Sequence, residues 1–171
     1  MQTPSLVLIA AAFPVAIPVA GPAPGAQLIN GLAVEWISRS AWAYPALEVL
    51  HITGIALMLG SLVVLELRVW GLGRELPLPA LARLALSVSM SGFCLIALSG
   101  LALFAANPGD MLANRNFVIK MGLVVLAGTN AALFHARGGL SRPDALARLQ
   151  TALSLGLWLA AIICGRWIAY R

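Results

Sequence analysis

The chain has 171 residues, of which 61% are hydrophobic and only 10% charged, with a mean hydropathy of +0.93. Soluble domains are roughly a quarter charged, so this composition excludes a water-soluble globular domain and places any site in or at a membrane. The net charge of +5 is scattered as single arginines over helix ends and short loops, which suits lipid headgroups and topology signals and excludes a nucleic-acid surface.

In chain order, residues 6–20 (LVLIAAAFPVAIPVA) are apolar but short, contain Pro14 and Pro18, and run into the proline- and glycine-rich GPAPGA. No Lys or Arg precedes Arg39, whereas a signal peptide ordinarily carries a basic n-region. Residues 1–25 are therefore read as a retained span kinked by proline, with a cleaved signal peptide as the alternative. Residues 27–40 place Leu28, Ile29, Leu32, Trp36 and Ile37 on one helical face, the pattern of a short helix lying in the interface.

Residues 26–171 form the bundle proper, with spans predicted at about 46–67, 84–106, 117–136 and 149–168. Between Val49 and Leu65 the only ionisable residue is His51, and Leu84–Ala106 has none, long enough to cross the hydrocarbon. Lys120 and Arg166 lie near span ends, where long cationic side chains reach the headgroups. Trp36, Trp42, Tyr44, Trp167 and Tyr170 form an aromatic belt at one membrane face and Trp70 marks the other. The fold class is all-α: an integral membrane bundle of four core helices, with a kinked N-terminal span and a short interfacial helix. Arg68, Arg74, Arg83, Arg137, Arg142 and Arg148 on one side outweigh Arg39, Arg115, Lys120, Arg166 and Arg171 on the other. This bias puts the first group in the cytoplasm, with the amino terminus inside and the carboxyl terminus outside.

Ionisable groups within a span are costly, so each invites a functional and a structural reading. His51 and His135 suggest a haem clamped between facing helices. Their spans run parallel, however, and the two histidines differ in depth by about 14 residues, roughly 21 Å at 1.5 Å per residue. One haem within one chain cannot bridge that gap. At the level of His51 come Met121, Cys164, Gly100 and Leu101, with Glu48, Lys120 and Arg166 about a turn away. His, Met and Cys are a soft set suited to cuprous copper, and His with Met also serves haem b; Gly54 would leave room for a flat macrocycle. The structural reading pairs Glu48 with Arg166 or Lys120 beside a hydrogen-bonded histidine, and treats Gly54 as a helix-packing residue. His135 falls level with Leu65 and Glu66, close to Gln150, Ser87 and Ser89. A carboxylate–imidazole pair accounts for that level structurally; a proton entry site, or a second haem site completed by another subunit, is the functional alternative. Asn130, one turn before His135, suits an interhelical hydrogen bond. Cys94 and Cys164 both lie in apolar segments and give no disulfide framework. No catalytic triad, phosphate loop or paired-cysteine metal motif is present in the sequence.

The runs WAYPALEVLHITGIALMLGSLVVLELRVWG, SGFCLIALSGLALFAANP, NRNFVIKMGLVVLAGTNAALFH and LWLAAIICGRWIAY resemble a domain-of-unknown-function family of small bacterial polytopic membrane proteins. The resemblance spans roughly residues 36–171. It implies a four- to five-helix fold in which Glu48, His51, Gly54, Asn116, Lys120, Asn130, His135, Gly165 and Arg166 are motif residues. More distantly, the histidine-bearing bundle is similar to copper-resistance D and b-type cytochrome membrane proteins, although it has too few histidines for a di-haem pattern. Three functions follow as expectations for a protein of the bacterial inner membrane. The first is binding of haem b or copper around His51 for electron transfer or metal handling, with membrane or periplasmic redox subunits as partners. The second is a non-catalytic accessory or anchoring subunit of a larger complex. The third is a small transporter, which would need a polar path and finds only Thr53, Ser91, Cys94, Ser99 and Thr129 mid-bundle.

Overall fold

A computed structural model of the chain describes residues 40–141, 144–168 and 170; the expected N-terminal span and nearly all of the interfacial helix lie outside the described residues. The described chain is all-α: α1 (Ala43–Trp70), α2 (Leu78–Ala106), the short α3 (Pro108–Ala113), α4 (Arg115–Ala136) and α5 (Ala145–Ile168). Four of these, α1, α2, α4 and α5, are long and apolar enough to cross a membrane. The protein is thus a multi-pass membrane protein whose successive spans alternate in direction. At about 1.5 Å per residue, α1 and α2 extend beyond 40 Å and α4 and α5 about 33–36 Å, against a hydrocarbon core of about 30 Å.

Each span is longer than the uncharged run that announces it. α1 continues through Arg68, α2 begins before Arg83 and α5 before Arg148, because a terminal arginine needs only its head in water while its stem lies along the helix. The turns are cut by specific chemistry. Gly71, at φ 104°, ends α1 with its N–H donating to the Arg68 carbonyl while Leu72 N–H donates to Leu67. Gly138, at φ 69°, does the same for α4: Gly138 N–H reaches His135 O and Gly139 N–H reaches Phe134 O. Both are glycine-terminated caps that a β-carbon would strain. Asn114 opens α4 by accepting from Asn116 N–H, and Asp144 opens α5 by accepting from Ala147 N–H at 2.7 Å. The short α3, absent from the sequence expectation, starts at Pro108, where a missing N–H costs nothing.

The spans pair as two hairpins, α1 with α2 and α4 with α5, joined chiefly along α1 and α5. In the first hairpin Gly54 and Gly92 bring the backbones into contact. A β-carbon on Gly92 would lie 2.6 Å from Met58 N and 2.8 Å from Gly54 O, and one on Gly54 would lie 2.9 Å from Gly92 O. This is close small-residue packing of membrane helices. Gly54 therefore leaves no room for a macrocycle: α2 itself fills the space. The hairpins meet through Val69, Phe134 and Ala147 and through Trp70, whose indole N–H donates to Thr151 Oγ1 at 2.8 Å.

Candidate functional site

Polar groups gather at the two ends of the bundle and are sparse between them. The hydroxyls in the middle close onto their own helices: Thr53 onto Val49 O, Ser91 onto Ser87 O and Thr129 onto Val125 O. Each satisfies its donor four residues back.

The first site lies at the end opposite the Gly71 and Gly138 turns, and all four spans contribute to it. His51 of α1 lies beside Ser99 and Gly100 of α2, with Nδ1 3.0 Å from Ser99 Oγ. Ser99 donates its hydroxyl proton to the Leu95 carbonyl, so it meets His51 as an acceptor. That geometry suits the tautomer with its hydrogen on Nδ1 and its lone pair on Nε2. Gly100 makes the placement possible, since a β-carbon there would stand 3.2 Å from His51 Cε1. Lys120 of α4 lies along Gly165 of α5, where a β-carbon would meet Nζ at 3.5 Å.

The sequence-derived neighbours divide around this core. Cys164, half-buried, precedes the glycine that receives Lys120. Met121 is 44% exposed on α4 and lies on the outside of the bundle. Among the described residues, no three His, Cys, Asp or Glu side chains converge in metal-binding geometry. The expected pairing of Glu48 with Arg166 or Lys120 does not form. Glu48 is exposed, and Arg166 turns along its own helix to Tyr170, with its guanidinium 2.7 Å from the hydroxyl and 4.8 Å above the ring. The reason is local: Tyr170 sits one turn from Arg166 and offers both an acceptor and a π face.

The second site lies at the turn end. Glu66 of α1 is buried at 4% exposure in a cavity of about 50 Å³ whose walls include Asn130, His135, Gln150, Thr151 and Ser154. Asn130 Nδ2 donates to Gln150 O at 2.9 Å, the interhelical bond expected of it. His135 shares the cavity with Glu66 but remains exposed, so the two form a common level and not a bonded pair. Glu66 sits fifteen residues along α1 from His51, about 22 Å of helix, which places the two histidines at opposite ends. Beyond the cavity, Arg137 bridges Gln150 Oε1 at 2.7 Å and Asp144 Oδ1 at 2.7 Å. The bond and the Ala147 N–H hold the Asp144 carboxyl below the ordinary carboxylate range.

Sequence reasoning missed Ser99 as the partner of His51, and missed Trp70, Thr151 and Ser154 at the seam. The signal for Ser99 was its place beside Gly100, already level with the histidine; for the seam residues no sequence signal distinguishes a hydroxyl that crosses helices from one that closes on its own. The chain matches no protein-family model, no characterised protein and no solved structure.

Proposed function

We propose that the chain is a subunit of an electron-transfer assembly in the bacterial inner membrane, with His51 as one axial ligand of a b-type haem at the edge of the bundle. The second ligand comes from a partner subunit. The observation that carries this reading is the 3.0 Å approach of Ser99 Oγ to His51 Nδ1: with that hydroxyl turned to the Leu95 carbonyl, the geometry suits an Nδ1–H imidazole whose Nε2 lone pair is left for a metal. A hydrogen-bonded far nitrogen is how metal-ligating histidines are fixed. A haem at this place carries single electrons at a potential set by its axial ligands and surroundings.

The same neighbours favour haem over copper. Lys120, whose Nζ reaches Gly165 at the same end of the bundle, offers a cation that would complement an anionic propionate. Met121 lies outward, away from the position that a His–Met–Cys copper set needs. Because α2 fills the space at Gly54, a haem held by His51 would lie at an outer face and not within the four helices. That same closure favours the second reading, a non-catalytic anchoring subunit that binds no cofactor.

The test is a visible spectrum with metal analysis of the protein drawn from its native membrane in mild detergent, together with whatever co-purifies. Wild type, His51→Ala and His135→Ala are compared. The expected result is Soret and α bands in wild type and His135→Ala that are lost in His51→Ala. A folded, colourless, metal-free wild type that still holds its partners refutes the haem reading and leaves the anchoring one.

A further inference from the structure

At the turn end, remote from His51, the Glu66 carboxyl is a buried acid with an incomplete set of partners. The Ser154 hydroxyl is within hydrogen-bonding reach of it, but Oε2 is buried with no partner among the described residues. Among the described residues, no cation pairs with it. Arg68, on the same helix, donates to Leu76 O and Arg74 O. Arg137 of α4 is held by Gln150 and Asp144, while Arg83 of α2 and Arg148 of α5 are exposed. Of the residues lining the cavity from α2, α4 and α5, His135 is the only titratable one.

A carboxylate buried without a counter-charge takes up a proton or a cation in preference to standing ionised. A hard cation wants roughly six or more oxygen ligands, and two of the few side-chain oxygens lining this cavity are engaged elsewhere. Thr151 Oγ1 accepts from Trp70 and donates to Arg148 O, and Gln150 Oε1 accepts from Arg137. A cavity of about 50 Å³ has room for water, which needs about 10–15 Å³ of such space per molecule and two to four polar partners.

We propose that the Glu66 cavity is a buried proton-binding site: the carboxyl holds a proton at neutral pH and passes it, through water in the cavity, to the His135 imidazole at the mouth. The O–H bond of Glu66 breaks as an N–H bond forms on His135; no electrons change hands. His135, one residue from the end of α4 and uncovered by protein, then releases the proton at that end of the bundle. Because Glu66 and His51 lie at opposite ends, this site stands or falls independently of the haem reading.

The experiment is infrared difference spectroscopy of the full chain in lipid nanodiscs, in water and in deuterium oxide, for wild type, Glu66→Gln, Glu66→Asp and His135→Leu. A protonated-carboxyl band is expected in wild type at neutral pH, lost in Glu66→Gln and displaced in Glu66→Asp. It should shift on deuteration, and that shift should be slowed in His135→Leu. The wild-type band is read without any variant, so misfolding of Glu66→Gln does not protect the proposal. Absence of the band at neutral pH overturns it. So does a band that emerges only when sodium and potassium are removed, which would mark a cation site. Unchanged exchange in His135→Leu overturns the transfer to His135.

Discussion

Substituting Gly92 by alanine should separate the first hairpin, because the added carbon meets atoms that cannot step aside. Its three neighbours would be Met58 N at 2.6 Å, Gly54 O at 2.8 Å and Leu57 Cβ at 3.1 Å, two of them backbone of a continuous helix, against ordinary contact near 3.5–4.0 Å. Relief requires α1 and α2 to move apart by most of an ångström, which loosens the packing along their length. Overpacking of this kind costs about 1–3 kcal/mol, and one or two kcal/mol already changes the folded-to-unfolded ratio about 5–30-fold. The assay is equilibrium unfolding in mixed detergent micelles followed by circular dichroism. Gly128→Ala is the control, since a β-carbon there meets nothing within 4 Å and gains helix propensity. Gly54→Ala should also destabilise, and the double variant should cost less than the two together, because one separation of the helices accommodates both methyl groups. If Gly92→Ala is as stable as Gly128→Ala, or the double variant is additive, the close-contact account is wrong.

Four further outcomes are expected. Trp70→Phe removes the one hydrogen bond seen between the indole and Thr151 and should destabilise by about 0.5–1.5 kcal/mol, the range for interhelical bonds in membranes; Thr151→Val added to it should cost little more, as a double-variant unfolding cycle will show. Asn130→Leu releases α4 from the Gln150 carbonyl and should lower thermal stability by a similar amount, about 1 kcal/mol. Asp144 has its carboxyl held below the ordinary value by Arg137 and the Ala147 N–H. Its contribution is therefore present above the unfolded-state carboxylate range and lost as pH falls through the folded-state value. Wild type should melt above Asp144→Asn at neutral pH and the difference should vanish in acid; a constant offset would refute the linkage. Finally, Ser99→Ala removes the acceptor from His51 Nδ1, and nitrogen NMR of labelled histidine should show the Nε2–H tautomer rising at the expense of Nδ1–H.

Much of the fold is legible in the sequence because a span must satisfy its backbone internally and present an apolar surface, so length and composition alone mark the four long helices. Their ends are less legible: Arg68, Arg83 and Arg148 look like boundaries when read as charges, and become helix interior once their stems are allowed to lie along the surface. Level within the membrane is also readable, since counting about 1.5 Å per residue along neighbouring spans set Gly100 level with His51, on an antiparallel span, and Glu66 level with His135, on a parallel one. Rotation about each helix axis is not readable in the same way. Met121 is level with His51 yet lies 44% exposed, and Glu48 and Arg166 share a level without meeting. A hydrophobic stripe fixes rotation in water, but here lipid makes the outer face as apolar as the inner one and erases that signal. The glycines carry what remains of it: Gly54, Gly92, Gly100 and Gly165 all face a neighbouring helix, whereas Gly60, Gly122, Gly128 and Gly156 face open space, and nothing local in the sequence separates the two groups.

The division of packing between two hairpins bears on how the chain is made. α1 and α2 already hold most of their contacts before α4 exists, and α4 and α5 hold theirs through Asn130, Arg137 and Asp144 without help from the first pair. During synthesis each hairpin can therefore enter the bilayer and close as a unit, and the seam formed by Trp70, Thr151 and Ser154 is the last to assemble. The walls around Glu66 include Asn130, His135, Gln150, Thr151 and Ser154 of the second hairpin, so the burial of this carboxyl is a property of both hairpins together: an acid carried by the first is sheltered only with the second beside it.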